Sequence, residues 1–376
     1  MLTLIMSGCT GDDTPEDNRT MHLMTASQLF TETTTQVTRA LPAGYEVLDM
    51  STTTAFPNSK DMLAFITPEK DNPTSSDIFI RRFTYFNDWQ TNITIKDATT
   101  PYYIYGFIPL GDDTSDEVAI SLLSGKTSYK DGAKLTIKRL KAMTASDVCI
   151  ISGIKKTNAS TDDIVNAGIV PGQFEYQFNN SSENPDYAYM LLDHLYAKVN
   201  LQMCIDETYN TLRTIKVRQI KLQLLNPDNR EQGLNNVTAE VTLTANTTGS
   251  NPVTGITFTT NATGGEPMTV FTDNSGQMLT TDYVNIGIPA YTLFKAPDNA
   301  TVKNQYIRIV SDYDVYDKSD NLIREVRNLQ NTFTLGLTSP NQKAGLAHII
   351  KMKVQPTYLY VLSEPDLDSP TITTES

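Results

Sequence analysis

Apolar and polar positions alternate along most of this chain, with the two-residue period of half-buried strands. From Leu195 the apolar side chains recur without a break through Ala197, Val199, Leu201, Met203 and Ile205, while Lys198, Asn200, Gln202 and Asp206 take the other face. Ile215 and Val217 share one parity and Ile220, Leu222 and Leu224 the opposite one, so a bulge or a change of pairing is expected near Gln219. Further strands are expected over Ile78–Phe86, Tyr102–Ile108, Val148–Ile154, Val237–Leu243, Ile256–Thr260, Tyr306–Val310 and Phe333–Leu337. Clusters of Asn, Gly and Pro at 226–229, 246–252 and 262–265 have the chemistry of hairpin and loop turns. Helical periodicity is confined to Leu135–Met143 and Val118–Leu123, each about two turns long.

Abundant Thr, Ser, Asn and Tyr with only 19% charged residues suits pleated, half-buried surfaces. The pattern predicts an all-β protein built as β-sandwiches. A chain of 376 residues is long enough for two or three domains. The polar run 179–185 reads as a hinge, giving an N-terminal sandwich over 40–184 and a C-terminal one over 185–376. Trp89, the only tryptophan, is expected to anchor the first core rather than stack on a sugar, and Tyr102, Tyr103 and Tyr105 to fill a core on one face and a rim on the other.

A net charge of −13, with no Lys/Arg patch interleaved with aromatics, excludes nucleic acid as a partner. The start of the chain points elsewhere. Leu2, Leu4 and Ile5 run into Met6-Ser7-Gly8-Cys9, which resembles a bacterial lipobox, in which small residues admit a signal peptidase and the cysteine carries the lipid. Residues 1–9 would then be a shortened lipoprotein signal, with Cys9 the palmitate-bearing outer-membrane anchor. The acidic, non-periodic stretch after it begins a tether over 10–39. No later run reaches the ~18 consecutive apolar residues of a spanning helix. Cys149 and Cys204 lie in apolar strand-like runs and are expected as buried free thiols.

Candidate catalytic chemistry is sparse. His22, His194 and His348 have no second His, Cys or Glu at metal-ligand spacing, and Asp193-His194 has no nucleophile elbow beside it. His194 and His348 read as structural strand residues. The acidic pairs Asp112-Asp113, Asp162-Asp163 and Asp366/Asp368 fall in turn-rich segments, and Asp312, Asp314 and Asp317 lack the Gly and Glu of a calcium loop. No enzyme, metal or cofactor is expected.

Two segments carry a family resemblance. Tyr189-Met190-Leu191-Leu192-Asp193-His194-Leu195-Tyr196-Ala197-Lys198-Val199 is similar to the segment that opens the second domain of fimbrillins, the subunits of type V pili, and Ala344 to Thr357 resembles the final strand of that superfamily. The resemblance implies a surface-exposed outer-membrane lipoprotein of two tandem transthyretin-like β-sandwich domains, acting in cell adhesion. It further implies that an arginine-specific protease removes the first strand, and that the groove left behind takes a terminal strand from another pilus subunit. The residues offer both parts. His348, Ile350, Met352, Val354, Pro356, Tyr358, Tyr360 and Leu362 share one face of a long terminal run, making 348–362 a donor-strand candidate, although a closing strand of its own domain fits the same pattern. Arg39-Ala40 follows the Thr-rich segment 21–37 as a processing site within a removable N-terminal region, with Arg19 competing. The alternative is a monomeric surface lipoprotein that binds glycan of a host or bacterial surface through its loops.

Overall fold

The computed structural model describes residues 17–25, 45–49, 61–108, 118–157, 169–181, 185–226, 229–245, 252–260, 264–292, 304–336, 345–359 and 364–374. The chain is all-β over them, with strands numbered here in chain order. One sheet runs β10 (Cys149–Thr157), β12 (Asp186–His194), β1 (Asp17–Thr25), β5 (Trp89–Ile95), β4 (Phe79–Tyr85), β3 (Met62–Pro68), β6 (Tyr102–Ile108) and β11 (Glu175–Tyr176). Its two ends meet, because Cys149 and Ile150 of β10 also pair with Ile108 and Phe107 of β6. Seven of the strands therefore form a closed barrel. Gly106 permits the closure: a Cβ there would stand 2.6 Å from the Leu63 carbonyl oxygen and 2.9 Å from Ile151 Cδ1.

Alternation puts one residue set inside the barrel and the other outside. Met21, Leu23, Ala64, Ile66, Phe83, Trp89, Ile93, Ile104, Ile151, Met190 and Leu192 fill the interior. Trp89 is its largest member, buried as the sequence predicts. The outer face of β3 and β6 is buried too, since Leu63, Phe65, Tyr103, Tyr105 and Phe107 belong to a second, larger core. The tyrosines of β6 thus divide between two cores rather than between a core and a rim.

Three further sheets surround this second core. A seven-stranded sheet runs β2 (Tyr45–Asp49), β23 (Leu346–Leu359), β13 (Ala197–Ile205), β20 (Ala290–Thr292) and β9 (Met143–Thr144), with β19 (Val284–Asn285) on β13 and β24 (Glu364–Thr374) on β23. A five-stranded sheet holds β15 (Asn229–Gly233), β14 (Thr214–Asn226), β21 (Asn304–Tyr316) and β22 (Leu322–Gly336), with β18 (Met268–Met278) on β14. The last contains β17 (Val253–Thr260), β16 (Asn236–Thr244), β8 (Gly132–Lys141) and β7 (Val118–Ser121). The bulge expected near Gln219 is present, with the pairings of β14 to β18 and to β21 both shifting register between Val217 and Gln219.

The two expected helices are strands. Leu135–Met143 falls on β8 and β9 and Val118–Leu123 on β7. In β8, Leu135 and Ile137 alternate normally, then the register slips and Leu140 returns to the core opposite Val237. Arg139 takes φ 53° there. This added residue converts a period of two into an apparent helical spacing. The only α-helix among the described residues is Glu207–Leu212, capped by the Asp206 side chain, which accepts from the Tyr209 amide.

Pairings also cross the line drawn at residue 184. β12 joins the barrel, β16 pairs with β8, β20 with β9, and β23 with β2. The expected hinge is tied down at its ends. Asn179 donates its amide to Asp186 Oδ1 at 2.9 Å and its side-chain nitrogen to the Pro185 carbonyl at 3.1 Å.

Candidate functional site

Strand β1, the first described segment, lies between two strands of the closed barrel. It pairs antiparallel with β5 from Asp17↔Ile95 to Leu23↔Trp89, and parallel with β12 from Met21↔Asp186 to Thr25↔Met190. Backbone donors and acceptors on both its edges are thereby engaged. Without β1 the edges of β5 and β12 would face each other across a gap of two strand spacings, about 10 Å.

The side chains of β1 follow the same logic. Arg19, Met21 and Leu23 point inward and are at most 3% exposed, whereas Thr20, His22 and Met24 are half-buried outside. On the outer face Thr20 Oγ1 donates to Asn92 Oδ1 at 3.0 Å. His22 Nδ1 lies 3.0 Å from Asp88 Oδ2, and its ring stacks on Tyr187 with centroids 4.7 Å apart.

Arg19 is a buried cation amid apolar side chains, and its environment is built for it. Its Nη1 donates to Asp186 Oδ2 at 3.1 Å and to the Asn179 carbonyl, with both side chains of the ion pair shielded from solvent. Its guanidinium carbon lies 5.7 Å from the Phe178 ring centroid. The second carboxylate oxygen, Asp186 Oδ1, accepts from the Tyr176 hydroxyl at 3.1 Å and from the Asn179 amide. Burial holds the Tyr176 hydroxyl far above its usual range, assisted by the Asp186 charge, so the tyrosine serves as a neutral donor. Nearby Lys156 donates to the Gln177 carbonyl at 2.7 Å, and burial lowers its pKa.

These positions bear on the processing sites read from the sequence. Arg19, the competitor to Arg39, is locked inside the barrel and closed to a protease while the strand is seated. Arg39 and Ala40 lie outside the described residues, in the segment 26–44 between β1 and β2. Cys9 is outside them as well. The partnership of Arg19 with Asp186 was missed in the sequence, since the two stand 167 residues apart. The available signal was a lone arginine on the inward parity of Met21 and Leu23.

At the other end, β23 runs parallel to β13 from Lys198↔Ala347 to Ile205↔Val354. Ile350, Met352 and Val354 are buried in the chain's own larger core, and His348 is fully enclosed. In this structure the first half of the donor-strand candidate therefore does the work of a closing strand. Tyr358 is on β23 with its side chain outside the described set, as are Tyr360 and Leu362. Strand β24 pairs with β23 from Met352↔Thr374 to Leu359↔Glu364, and β23 is its sole partner among the described pairings.

The remaining candidate groups have structural partners. Cys149 and Cys204 are buried thiols. Asp147, Cys149 and His194 cluster where β10 meets β12, with Cys149 Sγ 3.6 Å from Asp147 Oδ2 and 3.7 Å from His194 Nδ1. His194 Nδ1 and Asp147 Oδ2 are in hydrogen-bond contact, so the three buried groups partner one another. Asp314 is clamped between Arg218 at 2.7 Å and Arg327 at 2.6 Å, and Asp317 accepts from the Ser319 and Asn321 amides of its turn. Two surface cavities, about 550 and 390 Å³, are lined without an aromatic ring, the group that would stack on a sugar.

No family model matches this chain, and no curated protein matches it. Its structural neighbours are fimbrial and adhesion proteins. One is a fimbrial protein from Bacteroides vulgatus, 13% identical, covering 95% of this chain and 98% of its own, with a TM-score of 0.36. A candidate cell adhesion protein from Bacteroides uniformis is 10% identical over 96% and 98%, with a TM-score of 0.34. Another from Parabacteroides distasonis is 7% identical over 96% and 97%, with a TM-score of 0.35.

Proposed function

We propose that this chain is a fimbrillin-like pilus subunit of the stalk or anchor type, exported as a lipoprotein through Cys9 and polymerised by protease-triggered strand exchange in cell adhesion. Its architecture on this reading is two transthyretin-like sandwich units, the first completed by β1 and β12. One observation carries the proposal: β1 closes the barrel between β5 and β12, yet it is joined to the next described strand only through 26–44, the segment that holds Arg39. A cut after Arg39 by an arginine-specific protease leaves β1 held without a covalent link. Its departure bares two strand edges and an apolar slot, which a strand from another subunit satisfies in the same way. The donor on this reading is the terminal segment beyond Val354, including Tyr358, Tyr360 and Leu362, released together with β24.

Limited digestion with an arginine-specific protease tests this. We expect a stable product beginning at Ala40 and a ladder of oligomers on unheated gels, both lost in Arg39→Gln. A clean product that stays monomeric at high concentration would sink the polymerisation reading.

A further inference from the structure

Two cations approach Asp186, one from each strand beside β12. On β1, Arg19 shares the inward parity of Met21 and Leu23 and pairs with Asp186 at 3.1 Å. On β10, Lys156 shares the parity of Ile154, an interior residue, and stands opposite Ala188 of β12, another interior residue two places beyond Asp186. Directly opposed residues share a face, so Lys156 enters the same end of the barrel from the other side of β12. Its Nζ lies 5.8 Å from the Tyr176 ring centroid, and the hydroxyl of that ring donates to Asp186 Oδ1. While β1 is seated, Arg19 neutralises the carboxylate and Lys156 is turned to the Gln177 carbonyl at 2.7 Å. Burial lowers the pKa of Lys156, the Asp186 charge opposes that shift and the Arg19 charge adds to it. Departure of Arg19 therefore removes a repelling charge from Lys156 and leaves it the attraction of Asp186.

We propose that Lys156 replaces Arg19 as the counter-charge of Asp186 when β1 leaves, so that the slot accepts the cation-free terminal strand of a second copy of this chain. The inference rests on the strand-exchange reading and names what lets that slot take its donor. Residues 355–376 contain no Lys, Arg or His, and 355–362, the stretch with Tyr358, Tyr360 and Leu362, carries no charge at all. Such a strand brings nothing to balance a carboxylate that it encloses, and a buried charge left unpaired is strongly unfavourable. Lys156 belongs to the accepting barrel and stays when β1 goes. Its flexible four-carbon stem needs only to turn from the Gln177 carbonyl. Asp186 also keeps the Tyr176 hydroxyl and the Asn179 amide, which lie outside β1. The two occupants thus differ in where their cation comes from: β1 brings its own, and the donor uses the barrel's.

The test uses the full chain cut within 26–44 with its β1 fragment still bound. It is prepared in native form, as Lys156→Arg, and as two uncharged variants, Lys156→Met and Lys156→Gln, the latter keeping a donor for the Gln177 carbonyl. Labelled peptides of residues 17–25 and 355–376 are exchanged in, and their affinities are compared on each protein. We expect both to enter the native protein and the Lys156→Arg form. The uncharged variants should bind 355–376 roughly tenfold or more weakly while holding 17–25, which carries Arg19, within about twofold of native. Adding Asp186→Asn to Lys156→Gln should remove that deficit. Binding of 17–25 shows that the slot of each variant is folded. Equal binding of 355–376 to native and uncharged proteins would overturn the role of Lys156 while leaving strand exchange intact, and so would a loss shared equally by both peptides. Failure of 355–376 on native protein that takes up 17–25 would remove the donor, failure of both would remove strand exchange, and this inference falls in either case.

Discussion

His348 shows how a single residue ties the terminal strand to pH. It lies on β23 opposite Val199 of β13 on one side and Val47 of β2 on the other, and it is fully buried. Burial pushes its pKa down to about 4, from 6.5 in the unfolded chain. The sign follows directly. Between these values the unfolded chain binds a proton that the folded one refuses, so the stability present above pH 6.5 is lost as pH falls toward 4. A gap of this size corresponds to about 3 kcal/mol. Urea titrations at pH 7.5 and 4.5 should therefore show a larger loss in the native protein than in His348→Leu, and identical losses would remove the histidine from the account. Sequence reasoning recognised His348 as a strand residue but could not supply its burial, which depends on two partner strands far away in the chain. Arg19 is the clearer case. Its parity with Met21 and Leu23 was visible, yet its meaning required Asp186.

At the scale of elements, alternation was a good guide wherever a strand runs straight. β6 coincides with the expected Tyr102–Ile108, and β16 and β10 differ from expectation only at their ends. The errors fall where an added residue mimics another period: at Gln219 the change of parity was legible as a bulge, whereas at Arg139 in β8 the same device gave a spacing that reads as helical. β23 is ambiguous for a different reason: a closing strand and a donor strand need the same alternation, and only its neighbours tell which part is committed. Its two halves should respond differently to change. Met352→Ala, in the half packed on β13, should cost about 2–5 kcal/mol in urea unfolding. Deleting 355–376, which removes β24 and the end of β23, should cost less than that substitution while abolishing oligomer ladders after cleavage. A deletion that unfolds the protein would place those residues in the closing strand and count against their role as donor.

At the scale of the whole molecule, the boundary expected at 179–185 falls beside the buried ion pair of Arg19 and Asp186. Polar, Asn-rich and near the midpoint, it has the composition of a linker, yet its ends are fixed to the barrel through Asp186. Composition reports solvent contact, whereas the long-range pairings that decide domain membership are invisible to it. Here the pairings of β12 with β1 and β10, β16 with β8, β20 with β9 and β23 with β2 tie early segments to late ones, and one core extends from Leu63 to Val354. Cooperativity should follow from this stitching, since neither side of residue 184 retains its sheets without the other. Calorimetry of the intact chain should give one transition, with the van't Hoff enthalpy equal to the calorimetric enthalpy. Separate chains of residues 17–184 and 185–376 should each lack a cooperative melt and recover it on mixing. Two independent transitions, or a C-terminal fragment that melts alone as it does within the whole, would show that the crossing pairings contribute little to stability. On the strand-exchange reading the same stitching would hold the rest together when β1 leaves: β1 supplies Met21 and Leu23 to the barrel interior, while among the described residues the larger core draws on none of β1.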